Sequence, residues 1–282
     1  MAWLRELRWP GADLEPHTPT YENAATILIV MIRIREARFA AARLLLGLML
    51  STLAPALNAA AQEDSFAAAR AALVEEVERY GRRDPSDGQE GFDGRVLKAM
   101  REVQRHRFVP DSLHSQAYAN QPLPIGHGQT ISQPYIVALM TDLVDPEEDD
   151  VVLEVGTGSG YQAAVLAKLV KRVYTIEIIE PLADQARERL AALGYDNVVT
   201  RLGDGYFGWD EHAPFDAIVV TAAASHVPPP LIAQLKPGGR MVIPVGGRFA
   251  VQYLLLVEKT AAGETITRQI TAVRFVPLTG EH

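Results

Sequence analysis

From Val151 onward, short apolar runs alternate with helical stretches, and this alternation restricts the possible folds more than any other feature of the chain. The run VVLEV (151–155) precedes a helical stretch over 161–170, and strand 172–178 precedes a helix over 181–193. Pro181 stands in the first turn of that helix and Gly194 just past its end, the usual asymmetry of helix termini. Strand 197–202 ends in GDG, strand 215–220 leads to a short helix over 229–235, and KPGG turns into strand 240–245. Two further strands, near 250–258 and 265–275, flank the turn AAGE as a hairpin. Strand and helix in succession imply an α/β fold: a doubly wound, mostly parallel sheet covered on both faces, here with an antiparallel C-terminal hairpin. In such sheets ligands bind at the carboxyl ends of the strands.

Upstream of the sheet the chain reads as a helical extension. Residues 65–80 and 93–107 carry apolar residues at helical spacing, with a polar, turn-rich stretch between them. The segment 108–134 is too long and too rich in Pro and Gly for an ordinary connector, and loops of this kind are functional or disordered. A helix follows Pro134. The expected organisation is a leader over 1–61 and a single domain over 62–282. Within that domain, 62–150 forms the helical and substrate-loop part and 151–282 the cofactor-binding sheet.

The first strand runs into LEVGTGSGYQ, with Gly156, Gly158 and Gly160 at alternate positions. Glycine permits positive φ and the close approach of a ligand. A dinucleotide fingerprint would read G-x-G-x-x-G, but here Tyr161 stands where its last glycine belongs. Glu154, two residues before Gly156, would repel a pyrophosphate and attract a cation. Glu177 ends the next strand, 21 residues past Gly156, where an acid can hold ribose hydroxyls. Asp204 in LGDG stands where an adenine amino group could be held. S-adenosylmethionine combines a sulfonium, an ammonium, a carboxylate and a ribose, and it suits this loop better than NAD does.

Composition removes several other chemistries. The chain has no Cys, which excludes disulfides, thiolate metal sites and a Cys nucleophile. Its formal charge of -8, with no basic block, argues against nucleic acid as a partner. The His residues show no metal-ligand spacing, so no metal is expected. Arg33, Arg35, Arg38 and Arg43 precede the apolar run 44–50, and an A-x-A step at Ala59 and Ala61 follows; segment 31–61 thus has the layout of an export signal beginning at Met31. Ser51, Thr52, Pro55 and Asn58 interrupt the stretch that would have to span a bilayer, so no stable membrane association is expected.

Several motifs together resemble the protein-L-isoaspartate O-methyltransferases, a family of class I, Rossmann-like S-adenosylmethionine-dependent enzymes. They are RFVP (107–110), PLPIGHGQTISQPYIVALMT (122–141), VLEVGTGSGYQAAVLA (152–167), GDG (203–205), FDAIVVTAAA (215–224), LKPGGRMVIPVG (235–246) and VRFVPLTG (273–280). The glycine loop would suit any class I methyltransferase; GHGQTIS-P and the terminal VRFVPL are more specific. The resemblance implies transfer of a methyl group from S-adenosylmethionine to the free α-carboxylate of L-isoaspartyl residues in damaged proteins and peptides, whose ester then closes to a succinimide. It implies that Ser132 is the active-site hydroxyl, with His127, Thr130 and Ile131 beside the substrate. It places Gly156, Gly158, Gly160, Glu177, Asp204 and Gly205 around the cofactor, where the loop's own charge pattern already puts Glu154. It also implies a cytoplasmic monomer, whereas segment 31–61 points to an exported or periplasmic protein. The residues leave two rivals: a class I methyltransferase for a small molecule, and a cofactor-binding protein without turnover.

Overall fold

Runs such as VVLEV and FDAIVV are apolar on both sides of the strand, so they can be buried only in a sheet covered on both faces. The computed structural model describes residues 26, 28–36, 38–39, 65–81, 91–247 and 250–280. Contacts divide the chain into two units, Met1–Gln62 and Glu63–His282. In the first unit the described residues are helical and exposed; the apolar run 44–50 and the A-x-A step lie outside the described residues. Among the described residues no helix is long and apolar enough to cross a membrane.

The second unit opens with helix α1 (65–81) and α2 (Gly94–Glu102). Asp93 caps α2 by accepting a hydrogen bond from Arg95 N at 2.7 Å. The sequence predicts a helix to 107, but α2 stops at Glu102, where Val103 turns extended, and a 3-10 turn covers Arg105–Phe108. That break turns Arg105, His106 and Phe108 into the interior. The segment expected to be irregular holds a small hairpin, β1 (Leu123–Gly126) with antiparallel β2 (Gln129–Ile131). His127 and Gly128 form its turn, both at positive φ (52° and 72°), which suits the right-handed twist of paired strands. Helix α3 (Pro134–Leu143) follows directly.

The main sheet has seven strands in the order β5-β4-β3-β6-β7-β8-β9. They are β3 (Val151–Val155), β4 (Arg172–Glu177), β5 (Val198–Leu202), β6 (Phe215–Val220), β7 (Leu235–Val245), β8 (Gln252–Lys259) and β9 (Thr265–Val273). β3 to β7 are parallel, whereas β8 and β9 add antiparallel in sequence order at one edge. Helices α4 (Tyr161–Leu166), α5 (Glu180–Ala192) and α6 (Pro229–Gln234) connect the parallel strands. Alternate residues of each strand feed two cores: Val152, Val219 and Val242 on one face, and Leu153, Ile218 and Met241 on the other. β7 begins earlier than the sequence suggests. Leu235 already pairs with Phe215, and the KPGG turn survives as a bulge before Arg240 pairs with Ala217. The helix expected over 161–170 is regular only to Leu166 and continues as turn.

The chain leaves β3 toward β4 and β5, then returns to pair β6 on the other side of β3. Between β3 and β6 lies the point where strand order reverses, and a crevice opens there by topology. Gly156, at φ 98°, follows β3; a side chain on it would run into the Thr221 hydroxyl at the end of β6. Gly160, at φ 87°, precedes α4 and packs against Leu190. The first and third glycines are therefore required by the protein's own packing. Gly156→Ala is expected to cost about 1–3 kcal/mol through the left-handed backbone and the collision. In urea denaturation this appears as a lower midpoint with an unchanged slope.

Candidate active site

Three main-chain amides converge on the acid that ends β4. Gly158 N donates to Glu177 Oε2 at 2.7 Å, while Ile178 N and Ile179 N donate to Oε1 at 3.0 and 2.9 Å. The carboxylate thereby ties the glycine loop to the end of β4 and is held in one orientation. Gly156 N and Thr157 N complete the tie by donating to Ile176 O. Both lone pairs of Oε1 are thereby engaged, and Oε2 keeps one for a ligand hydroxyl.

Glu154 lies at the floor of the same crevice and is fully buried. Glu154 pairs in register with Thr175, whose hydroxyl donates to Glu154 Oε2 at 2.5 Å and lies 2.6 Å from Thr157 Oγ1. Burial pushes the Glu154 carboxyl up to about 8, with the nearby Glu177 charge adding to the rise; the Thr175 hydrogen bond and the Ala163 amide oppose it. Among the described residues neither Glu154 Oε1 nor Gln162 Oε1 has a hydrogen-bond partner. Gln162 is also buried, and its amide donates to Thr141 Oγ1 at 2.8 Å. A buried amide oxygen without a donor, beside a buried carboxyl whose proton an approaching cation would displace, suits a ligand that brings N–H donors and positive charge. S-adenosylmethionine, with its ammonium and sulfonium, meets that demand, and a pyrophosphate does not.

The opposite wall comes from the β1–β2 hairpin and the end of the chain. Thr130, Ile131 and Ser132 line the crevice together with Glu154, Gly156, Gly158, Glu177 and Gly205. Ser132 is half-buried, and no described residue bonds its hydroxyl. After β9 the chain turns back over the strand ends: Val276 O accepts from Ala223 N at 2.8 Å, and Leu278 N donates to Ala223 O at 2.7 Å. Residues 276–279 thus cover one side of the crevice.

Eight of the eleven residues named from the sequence line this crevice, and three do not. His127 sits exposed at the hairpin tip. Gly160 faces Leu190 in the core. Asp204 caps the 3-10 turn Gly205–Phe207 through Tyr206 N at 2.9 Å and packs against Gly280. Sequence reasoning missed Gln162, Thr221 and Ile178, which also line the crevice. Ile178 carried a legible signal, an apolar residue directly after the strand-end acid, and it is 38% exposed. Among the described residues no cluster of His, Asp and Glu suits a metal ion.

A parallel sheet with a glycine turn at its reversal point, a strand-end acid and acceptors awaiting a cation defines a class I S-adenosylmethionine-dependent methyltransferase. The family model for protein-L-isoaspartate(D-aspartate) O-methyltransferase matches residues 87–282. A protein-L-isoaspartate O-methyltransferase 2 of Syntrophobacter fumaroxidans is 60% identical over 238 residues, covering 84% of this chain and 96% of the relative. Its counterpart in Polaromonas is 65% identical over 210 residues, covering 74% of this chain and all of the relative. The crystal structure of a Plasmodium falciparum putative protein-L-isoaspartate O-methyltransferase, in complex with S-adenosyl-L-homocysteine, superposes with a TM-score of 0.61. It is 26% identical, and the match covers 74% of this chain and 98% of that one. The chain belongs to the protein-L-isoaspartate O-methyltransferase family.

The raised Glu154 pKa has a measurable consequence. The folded state keeps a proton that the unfolded chain releases above its usual value of 4.5, so the unfolded state binds fewer protons between that value and about 8. Stability contributed by the neutral carboxyl is full below that window and is lost as pH rises through it. Glu154→Gln holds the site neutral. Its melting temperature, relative to the unsubstituted protein, is expected to rise from about pH 5 to about pH 8.5. A difference that stays constant across that range contradicts a buried neutral Glu154.

Proposed function

We propose that this crevice methylates the free α-carboxylate of L-isoaspartyl residues, with Ser132 as the hydroxyl that orients the acceptor. In this reading Glu154 and Gln162 face the amino-acid end of S-adenosylmethionine, Glu177 accepts from a ribose hydroxyl through Oε2, and Ile178 and Gly205 flank its base. Asp204 stands behind Gly205 and fixes the 3-10 turn that carries it. The bound cofactor supplies a methyl group on a positively charged sulfur.

What remains for the protein to do is to position the acceptor. A carboxylate has an unperturbed pKa of about 4 and is already a nucleophile at neutral pH. No general base is needed, in keeping with a crevice wall that offers a hydroxyl and main-chain groups. Ser132 donates a hydrogen bond to one acceptor oxygen and leaves the other free to attack. Thr130 and Ile131 lie along the acceptor peptide, and residues 276–279 limit water at the reacting centre. Orientation of this kind can supply about 7–11 kcal/mol of barrier lowering. The observation that carries the reading is the Ser132 hydroxyl, unengaged by any described residue, on the same crevice as the orphaned Glu154 and Gln162 acceptors.

Family resemblance supports a cytoplasmic monomer, and segment 31–61 supports export. Mass spectrometry of the mature N-terminus separates the two, since a start near Gln62 means cleavage. For the reaction itself, paired peptides that differ only in an isoaspartyl or aspartyl linkage are offered with methyl-labelled cofactor. Label is expected in the isoaspartyl peptide alone; equal labelling, or none, defeats the reading. Ser132→Ala is expected to lower kcat by about a hundredfold while S-adenosylhomocysteine affinity stays within about twofold. Parallel loss of both would remove Ser132 from its role.

A further inference from the structure

Arg105 is a charged side chain that the chemistry above does not use. Arg105 is fully buried in the 3-10 turn after α2. Its Nη2 donates to Ser132 O at 2.8 Å and lies 3.4 Å from Gln121 O. Its guanidinium carbon sits 4.8 Å above the ring of Tyr161, the first residue of α4 after the glycine loop. Nε and Nη1 have no hydrogen-bond partner, and no carboxylate pairs with the cation among the described residues. Burial pushes its pKa down to about 10, so the group remains a cation at neutral pH. A buried cation without a counter-ion is costly, and an apolar side chain of similar volume would commonly serve stability as well or better. Packing alone therefore does not account for Arg105.

We propose that Arg105 is a positioning residue for methyl transfer, holding the Ser132 main chain against Tyr161 so that the acceptor loop and the cofactor loop keep one relative placement. Its planar fork meets the Ser132 carbonyl at its tip while its central carbon lies over the aromatic ring, a combination lysine cannot reproduce. The two loops belong to different parts of the chain: Ser132 lies between β2 and α3, and Tyr161 begins α4. Displacement by about 1 Å at a site of this kind can cost about a hundredfold in rate. The inference rests on the Ser132 reading and deepens it.

The test is a double-mutant cycle in the full chain with Arg105→Met, Ser132→Ala and the pair. It is read by kcat on an isoaspartyl peptide, S-adenosylhomocysteine affinity and melting temperature. Arg105→Met is expected to lower kcat by about a hundredfold with affinity within about twofold. The pair is expected to be no slower than the slower single variant, because both changes act through one hydroxyl. Arg105→Lys is expected to recover part of kcat, yet to stay at least about tenfold below the unsubstituted protein. If Arg105→Met does not fold, Arg105→Lys takes its place in the cycle. Losses that multiply in the pair, an unchanged kcat in the Arg105 variant that folds, or a loss that only tracks melting temperature and cofactor affinity overturns the inference. Ser132→Ala with undiminished turnover sinks the Ser132 reading itself; a slow Ser132→Ala beside a fast Arg105 variant sinks only this inference.

Discussion

The Thr221 hydroxyl stands where a side chain on Gly156 would have to go. This contact joins the ends of β3 and β6, the two central strands between which the chain order reverses. With no Cβ at Gly156, its carbonyl lies 2.6 Å from Thr221 Oγ1. The loop then turns so that the Gly158 amide reaches Glu177. The floor of the crevice, its acid and the start of α4 all depend on that close approach. The hairpin and the end of the chain then close the crevice from the other side.

Polarity inside this crevice departs from what stability alone would choose. Among the described residues Glu154 and Gln162 each keep a buried oxygen without a partner, and Arg105 keeps buried donors without acceptors. Unsatisfied groups of this kind cost about 1–3 kcal/mol each. They lie on or directly behind one crevice, which is where a protein that must bind a charged cofactor and orient a charged acceptor tolerates them. The cores on the two faces of the sheet, built from Val, Leu, Ile and Ala with Phe108 and Phe215, supply the stability that offsets this cost.

Much of the sheet was legible because its strands are apolar on both faces and its helices carry their own boundary residues. Pro181 and Gly194 bracket α5 closely. The glycine loop, Glu154 and Glu177 were legible as a set because their chemistry is local to one strand–turn–helix unit and the strand that follows. The hairpin in segment 108–134 was not. Its strands have four and three residues, too short for an alternation to register, and its turn places His127 at a positive φ that favours glycine. The end of α2 was missed because Val103 continues the helical spacing, while the pull of Arg105 and Phe108 into the interior ends the helix. Asp204 was legible as an acid after a strand. Oδ1 of its carboxylate also caps Tyr206 N, a tertiary detail that the spacing does not carry.

The residues alone determined the α/β class, the site at the head of β3 and the preference for a cationic nucleoside over a pyrophosphate. Burial on both faces and the charge of Glu154 act within a few residues of each other and need no distant partner. Only the tertiary structure decided which neighbours fill the space beside each glycine, that Glu154 and Gln162 lack donors, and that Arg105 reaches Ser132 and Tyr161 at once. Those outcomes depend on segments tens of residues apart being packed to van der Waals contact. A one-dimensional pattern carries no record of that distance.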